Sequence, residues 1–422
     1  MQKENSLWQN LDFVKLWSGQ TFSEFGSRIT RTGLPIVALV TLGVSAKQMG
    51  FISAIGSLPS VLFGLFAGVL VDKFKRKPML ITTDIVRCLV LLTIPIAFHY
   101  NQLTLFQLYF VTVLSSICGV FFNVAYRSYL PTLIERKNLV SANAKISLSN
   151  SIAEVSGPGI AGVLIVAITA PFAIIFDSIS FLVSAFSLLL INKKEESSIS
   201  NQSTTNIKVF DEITQGIKFV FKNKILLSSA FAVGGISFFF GFFGTLYSLY
   251  AIRVLNINIG ILGLIISIGG VSSIFGSMFA NRITKKFGVG KTMLIASFLI
   301  ACSMLCIPLA GYFGKTFAIV MLSLSQLGDC FLVIYFINDT TIRQIITPDN
   351  MLGRMNSAMQ LFEVGLAPFG ALIAGFLADY IGIQPTMFFC ATGGFTAFLI
   401  LFFSPTKNIR NFDSINLLYD EI

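Results

Sequence analysis

Apolar stretches of bilayer length alternate with short polar gaps along almost the whole chain. Crossing a bilayer core of about 30 Å takes about 20 apolar residues at a helical rise of about 1.5 Å each. Such stretches fall near 14–42, 48–71, 79–99, 104–126, 147–169 and 171–191, and again near 226–252, 259–281, 291–312, 316–338, 355–380 and 383–403. The pattern predicts twelve transmembrane helices. Its rhythm breaks once, in the middle, where residues 193–206 read KKEESSISNQSTTN with no apolar period. Beyond them Phe210, Ile213, Ile217 and Val220 share one helical face, with Lys208, Asp211, Glu212 and Lys218 elsewhere. That predicts an amphipathic helix lying along the membrane surface. The expected organisation is a six-helix bundle at 1–192, a linker with the amphipathic helix at 193–224, a second bundle at 225–404 and a tail at 405–422.

The two halves resemble each other in sequence. Lys77-Pro-Met79-Leu80-Ile81 recurs as Lys291-Thr-Met293-Leu294-Ile295, a shift of 291 − 77 = 214. Glu154-Val155 ahead of Pro158 recurs as Glu363-Val364 ahead of Pro368, shifted by 363 − 154 = 209. Asn138-Leu139 recurs as Asn350-Met351, shifted by 350 − 138 = 212. Three matches in order at nearly one offset predict a duplicated, pseudo-symmetric all-α membrane fold, an architecture that builds a midplane binding site between its halves.

Composition agrees with lipid as the solvent. The chain is 54% apolar but only 12% charged, where a soluble domain carries roughly a quarter charged residues. The net charge of +10 could suggest a nucleic-acid partner, so its distribution decides. Lys and Arg gather in alternate gaps (Lys73 to Lys77, Arg136 to Lys145, Lys193 to Lys224, Arg282 to Lys291 and Arg343 to Arg354), whereas the intervening gaps hold only Lys47, Arg253 and Lys315. This is the positive-inside pattern. It predicts both termini in the cytoplasm and excludes a nucleic-acid surface. The six Cys lie within apolar runs without a CxxC pair, so neither a metal site nor a disulfide framework is expected. The N-terminus is polar to Asn10, with no cleavable signal sequence, so the first span is expected to direct insertion.

Charges inside the spans carry the candidate chemistry, because each is costly in hydrocarbon unless paired or hydrated. Glu24, Arg28 and Arg31 lie on one face of the first span. Counting from the interfacial Trp17 places Arg28 roughly 16 Å deep. Asp177 lies in span six, Asp329 in span ten, and Glu154 and Glu363 early in spans five and eleven. These five carboxylates (Glu24, Glu154, Asp329, Asp177 and Glu363) are candidates for proton coupling, since burial raises a carboxylate's pKa and lets it load and release protons. A static ion-pair role, for instance Glu24 with Arg28, is the alternative. Arg28 and Arg31 are candidate substrate-cavity residues. Asp84 and Arg87, three apart in span three, read as a structural pair. His99 falls at an outer helix end and no catalytic constellation accompanies it, so no enzyme activity and no cofactor are expected.

Two glycine-rich stretches mimic nucleotide motifs. Gly157-Pro158-Gly159-Ile160-Ala161-Gly162 satisfies G-x-G-x-x-G, but no strand precedes it and lipid-length apolar runs flank it. Gly288-Val-Gly290-Lys291-Thr292 imitates the end of a P-loop, with Lys285 where its first Gly belongs. Neither supports ATP hydrolysis.

The loop after span two reads Gly68-Val-Leu70-Val-Asp72-Lys73-Phe-Lys75-Arg76-Lys77. It resembles the G-x-L-x-D-[RK]-x-G-[RK]-[RK] loop of the major facilitator superfamily, with Lys75 in place of the second Gly. Gly68, Asp72, Lys73, Arg76 and Lys77, backed by Asp84 and Arg87, are thereby expected to form a gating latch. In the second half Gly276 to Arg282 keeps the small residues and a base but lacks the acid. Gly157, Pro158 and Gly162 resemble the antiporter signature of span five, where small residues and Pro permit close helix packing. Gly26-Ser-Arg28 to Leu34-Pro35, Asp84-xx-Arg87, Tyr129-Leu130-Pro131 to Ala142-Asn143-Ala144, and Arg343-Gln344-xxx-Pro348-Asp349-xxx-Gly353-Arg354 are similar to the drug-antiporter branch that includes macrolide-efflux proteins and enterobactin exporters. The resemblance runs from about 10 to 404. It implies a monomeric multi-pass protein of the bacterial inner membrane that exports a small amphipathic compound (a drug, macrolide-like molecule or siderophore) against protons. Ser27 stands where that branch often has Asp, and Ser115 where many proton antiporters have Arg. Uptake of a metabolite or lipid-like substrate is the alternative, and a non-transporting membrane sensor or enzyme a further one.

Overall fold

The computed structural model describes residues 7–64, 66–67, 71, 74–193 and 208–410, and every regular element among them is helical. The first half forms α1 (Leu11–Ile36), α2 (Ala46–Gly64), α3 (Arg76–His99), α4 (Leu105–Leu133), α5 (Leu139–Ile168) and α6 (Ala170–Leu189). The short helix α7 (Lys208–Lys222) precedes the second half. That half comprises α8 (Lys224–Leu249), α9 (Ile259–Phe287), α10 (Val289–Leu309), α11 (Gly314–Ser325) with α12 (Gly328–Ile346), α13 (Leu352–Gly365) with α14 (Ala367–Ile381), and α15 (Ile383–Gly393) with α16 (Phe395–Phe403). Its last three spans are thus each built from two consecutive pieces. Ten spans among the described residues are long and apolar enough to cross a bilayer. The charged α1 and the shorter α2 complete the expected twelve.

The duplication is written into the backbone at a single offset. Asn10 caps α1 by accepting from the Phe13 amide at 3.1 Å, and Asn223 caps α8 by accepting from Ile225 and Leu226 at 2.9 and 3.0 Å. Both helices run into a π-helical turn, Val37–Thr41 and Tyr250–Val254. Left-handed residues then recur in pairs: Gly43 with Asn256, Asn101 with Gly314, and Thr169 with Gly382. Every pair differs by the same number, as in 250 − 37 = 213. This corrects the register of the sequence matches. At an offset of 213 Glu154 corresponds to Ala367, Glu363 to Asn150 and Lys77 to Gly290, so the paired glutamates are not repeat equivalents. The shift of 209 erred by four residues, about one helical turn, which keeps the apolar face in phase and so hides the slip.

Two compact units emerge from the contacts. The first comprises Met1–Val44, Ile55–Gln202 and Asn258–Ser267; the second comprises Ser45–Ala54, Ser203–Ile257 and Ile268–Ile422. In the first, Phe13, Leu16, Leu80, Phe122, Tyr129, Leu133 and Leu188 form one core cluster. Gly19 and Gly26 bring α1 against Ser187 and Ser180 of α6, the close approach that small residues allow in lipid. In the second, a Cβ at Gly241 would overlap the Ala367 carbonyl oxygen, and one at Gly370 would overlap that of Phe238. The α8 and α14 backbones therefore touch. Gly241→Val is expected to cost about 1–3 kcal/mol through overpacking, read as a lower thermal unfolding midpoint of the detergent-purified protein. Gly244→Val, whose added Cβ meets nothing within 4 Å, is expected to leave the midpoint in place.

Also in the second unit, Asp379 of α14 accepts from the Ala46 amide and the Ser45 hydroxyl, both at 3.1 Å. A carboxylate thereby satisfies an orphan donor at the N-terminus of α2. The amphipathic α7 buries Gly216 and Val220 against α13, where a Cβ at Gly216 would overlap the Arg354 carbonyl oxygen. Residues 194–207 of the linker lie outside the described residues. Large apolar side chains such as Phe106, Val140, Tyr380 and Phe403 are exposed, as helices wetted by lipid require.

Candidate functional site

Within the first unit, α1 presents Arg28 toward α5. The guanidinium lies 3.9 Å from the Glu24 carboxylate and 3.5 Å from that of Glu154. Gly157 makes room for it: an ideal Cβ there would sit 2.5 Å from the Arg28 Cβ. The arginine is mostly buried at 17% side-chain exposure, but Glu24 and Glu154 keep 35% and 56%. Both separations exceed hydrogen-bond length, and the Arg28 Nε has no hydrogen-bond partner. The result is a loose, accessible cluster with two carboxylates around one cation. Arg31 is exposed and forms no ion pair among the described residues.

Asp177 sits apart from this cluster. It is buried on α6 and accepts from the hydroxyls of Ser180 at 3.2 Å and Ser27 at 3.5 Å. Gly26 leaves the space it occupies, since a Cβ there would lie 2.7 Å from the Asp177 Oδ1. Asp84 is fully buried and bonds Arg87 at 2.6 Å. The Arg87 guanidinium is stacked between Phe122 and Phe181, at 4.6 and 4.1 Å from the ring centroids. Of the candidate latch, Gly68, Asp72 and Lys73 lie outside the described residues. Arg76 and Lys77 open α3, and the Lys77 ammonium donates to the carbonyls of Leu189 and Ile191 at 3.3 and 2.7 Å, where a cation suits the C-terminal end of α6. The remaining small residues of span five face elsewhere than Gly157 does. The Pro158 carbonyl and Gly162 approach Gly263 and Gly260 at the start of α9.

The second unit holds a tighter cluster around the candidate Glu363, in which sequence reasoning missed Asp339 and its grouping with Arg343. The Arg343 guanidinium of α12 forms ion pairs with Asp339 at 2.8 Å and with Glu363 of α13 at 2.7 Å. The Ser229 hydroxyl of α8 donates to the other Asp339 oxygen. Asp339 and Arg343 are almost wholly buried, while Glu363 keeps 33% exposure. The available signal was an Asp and an Arg one helical turn apart at the end of an apolar run.

Asp329 opens α12 beside an interruption of span ten. There the amides of Gln326, Leu327, Asp329 and Cys330 reach back three residues to carbonyls, the pattern of a 3₁₀ turn. Glycines admit the turn, since a Cβ at Gly269 would overlap Asp329 and one at Gly328 would overlap Ser303. The buried Gln326 amide donates to the Tyr247 hydroxyl at 3.0 Å. The repeat-equivalent stretch of α4 is continuous helix, so the break belongs to the second half alone. Among the described residues no three His, Cys, Asp or Glu side chains gather to hold a metal ion.

The profile of the Major Facilitator Superfamily matches residues 16–367. The chain belongs to this superfamily. A solved structure of a bacterial homologue of the iron transporter ferroportin, in an inward-facing state, superposes with a TM-score of 0.75 at 15% identity over 94% of this chain and 99% of that one, which supports the major facilitator fold. Macrolide efflux protein A of Streptococcus pyogenes is 29% identical over 164 residues, 39% of this chain and 40% of that protein. The multidrug efflux pump Tap of Mycolicibacterium fortuitum is 22% identical over 369 residues, 86% of this chain and 88% of its own. The match thus spans about two fifths of the macrolide protein. As a major facilitator protein the chain is a multi-pass membrane protein, and its charge clusters are the part its two-fold scaffold does not explain. At the common offset Arg28 corresponds to Gly241, Asp339 to Tyr126 and Arg343 to Leu130.

Proposed function

We propose that the chain is a secondary active exporter, which moves a small amphipathic compound out of the cell by alternating access in exchange for protons. The observation that carries this reading is the loose cluster of Glu24, Arg28 and Glu154, with its separations of 3.9 and 3.5 Å and its accessible carboxylates. A charge in a span is tolerated where water or a partner meets it. A carboxylate held beyond hydrogen-bond distance is free to exchange that partner for a proton or for a donor group on a substrate. Proton and substrate then compete for Glu24 and Glu154, which is the requirement for antiport. Substrate is taken on the inside by the ionised pair and displaced on the outside by protons, which are discharged inward on return. Arg28 remains between the two carboxylates as their resident counter-charge. Asp329, at the helix break, is a further coupling candidate, because interrupted helices commonly border substrate and ion sites in transporters. A groove of about 410 Å³ along α12, lined by Leu332, Val333, Phe336, Ile337, Thr340 and Thr341, suits an apolar compound with few polar groups. The names of the macrolide and multidrug efflux relatives favour export over uptake.

The test uses everted membrane vesicles that hold an acid interior, with amphipathic fluorescent dyes as probes. Dye addition is expected to discharge the pH gradient with the wild-type chain and to leave it standing with Glu24→Gln or Glu154→Gln at equal protein level. Full discharge by both variants would remove the cluster from the coupling step.

A further inference from the structure

The short turn between α9 and α10 forms one wall of a pocket unrelated to the clusters above. The pocket has a volume of about 540 Å³, and Lys285, Lys286, Phe287, Gly288, Lys291, Lys407 and Arg410 line it with Asn408 and Ile409. Five cations therefore surround one cavity, and no carboxylate pairs with any of them among the described residues. The helix terminus is not what would hold a ligand. The amide of Val289 donates to the Arg410 carbonyl at 3.1 Å and that of Gly290 to the Ile409 carbonyl at 2.9 Å. The P-loop-like sequence has thus already committed its first donors to the chain, which removes the phosphate cradle that a nucleotide would need. The positive field comes from side chains alone.

The rim of the pocket decides which anion suits it. Phe287 lines the cavity and is half exposed, and the Lys286 ammonium lies 5.4 Å from its ring. Lys407 lies 5.0 Å from the ring of Phe402, which is edge-on to the strongly exposed Phe403 at 5.3 Å. Lys side chains lay their stems along apolar surface such as these rings while their ammonium groups reach the polar headgroup level. The turn also belongs to the basic gap that the charge distribution assigns to the cytoplasmic leaflet. We propose that this pocket is a binding site for the phosphate of an anionic phospholipid headgroup, with Lys285, Lys291, Lys407 and Arg410 around the phosphate and the Phe287 and Phe402–Phe403 rings against its acyl chains.

The experiment uses the full-length protein in nanodiscs of phosphatidylcholine, with or without phosphatidylglycerol, and reads backbone hydrogen exchange at 285–291 and 405–410. Phosphatidylglycerol is expected to slow exchange in both segments. The affinity for it, measured by lipid titration in detergent, is expected to fall about fivefold for each charge removed, and so about a hundredfold in Lys285→Gln/Lys291→Gln/Lys407→Gln. The triple Lys→Arg variant is expected to restore binding, and Lys315→Gln, outside this pocket, to leave it unchanged. Binding of phosphatidylglycerol by the triple Gln variant at wild-type strength overturns the assignment. Equal protection by inorganic phosphate in phosphatidylcholine discs overturns the lipid source in favour of a soluble anion. Unchanged thermal midpoints in the variants keep a folding defect from imitating lost binding.

Discussion

Replacing Arg343 with Met is expected to destabilise the protein by about 3–5 kcal/mol, the loss that follows when a buried ion pair keeps only one partner. Asp339 is 1% exposed, and without the guanidinium its remaining donor is the Ser229 hydroxyl. Water cannot take over, so the carboxylate must either stay charged in a dry site or bind a proton. Glu363 suffers less, because a third of its side chain is already exposed. Glu363→Gln is accordingly expected to cost about 1 kcal/mol or less. A second substitution separates lost charge from lost packing. Arg343→Met/Asp339→Leu removes both ions and is expected to recover most of the stability, as apolar replacement of buried pairs often does. Thermal unfolding of the purified protein in detergent measures all three. A single Arg343→Met variant that melts with the wild type would show that the cluster contributes nothing to the fold.

The same cluster shows where reading the chain alone stops. The spans are legible because lipid demands about 20 apolar residues for each, and no other constraint on the chain is so coarse. Their ends are less legible. Span ten reads as 316–338, but its helix continues to Ile346, and Asp339 and Arg343 lie in the difference. Hydropathy counts the two as polar residues of a basic loop, whereas in the fold they neutralise one another and continue the helix. The Arg343 charge that supports the positive-inside pattern is in fact buried. The duplication is legible too, but not its register, because a slip of one turn preserves an apolar face. Glu154, Gly157 and Arg28 each stand out in the sequence, as a carboxylate, a small residue and an intramembrane cation. That Gly157 exists to seat the Arg28 stem is a tertiary fact, and no spacing between residues 129 apart announces it. The cluster around Asp339 depends likewise on Ser229, which no local pattern distinguishes from its neighbours.

Arg28→Gln is expected to give the opposite result from Arg343→Met, with the fold retained and transport lowered about fivefold, the upper end of what a loose, partly exposed ion pair contributes at about 1 kcal/mol. The composition of the two clusters is the same, one Arg between two carboxylates, but their surroundings differ. Glu24 and Glu154 are accessible and lie 3.9 and 3.5 Å from the cation, so its removal strands no dry charge, and stability is expected to change by about 1 kcal/mol or less. What disappears is the one resident cation beside both carboxylates, which the proposed exchange of substrate for protons uses. Arg28→Lys is expected to recover part of the rate, since an ammonium supplies the charge but cannot span two carboxylates as a planar guanidinium does. The rate is read as dye-driven discharge of a pH gradient in everted vesicles, beside a melting curve of the same preparation. Normal discharge by Arg28→Gln would mean that the accessible cluster is a bystander. A collapsed melting curve would mean that Arg28, like Arg343, holds the fold. A duplicated scaffold can place charges at equivalent positions in both halves, and this chain does not, since Arg28 faces a glycine across the repeat and Arg343 a leucine. Two arginines at unrelated positions are expected to do different work, and the reciprocal pair of outcomes is how that division becomes measurable.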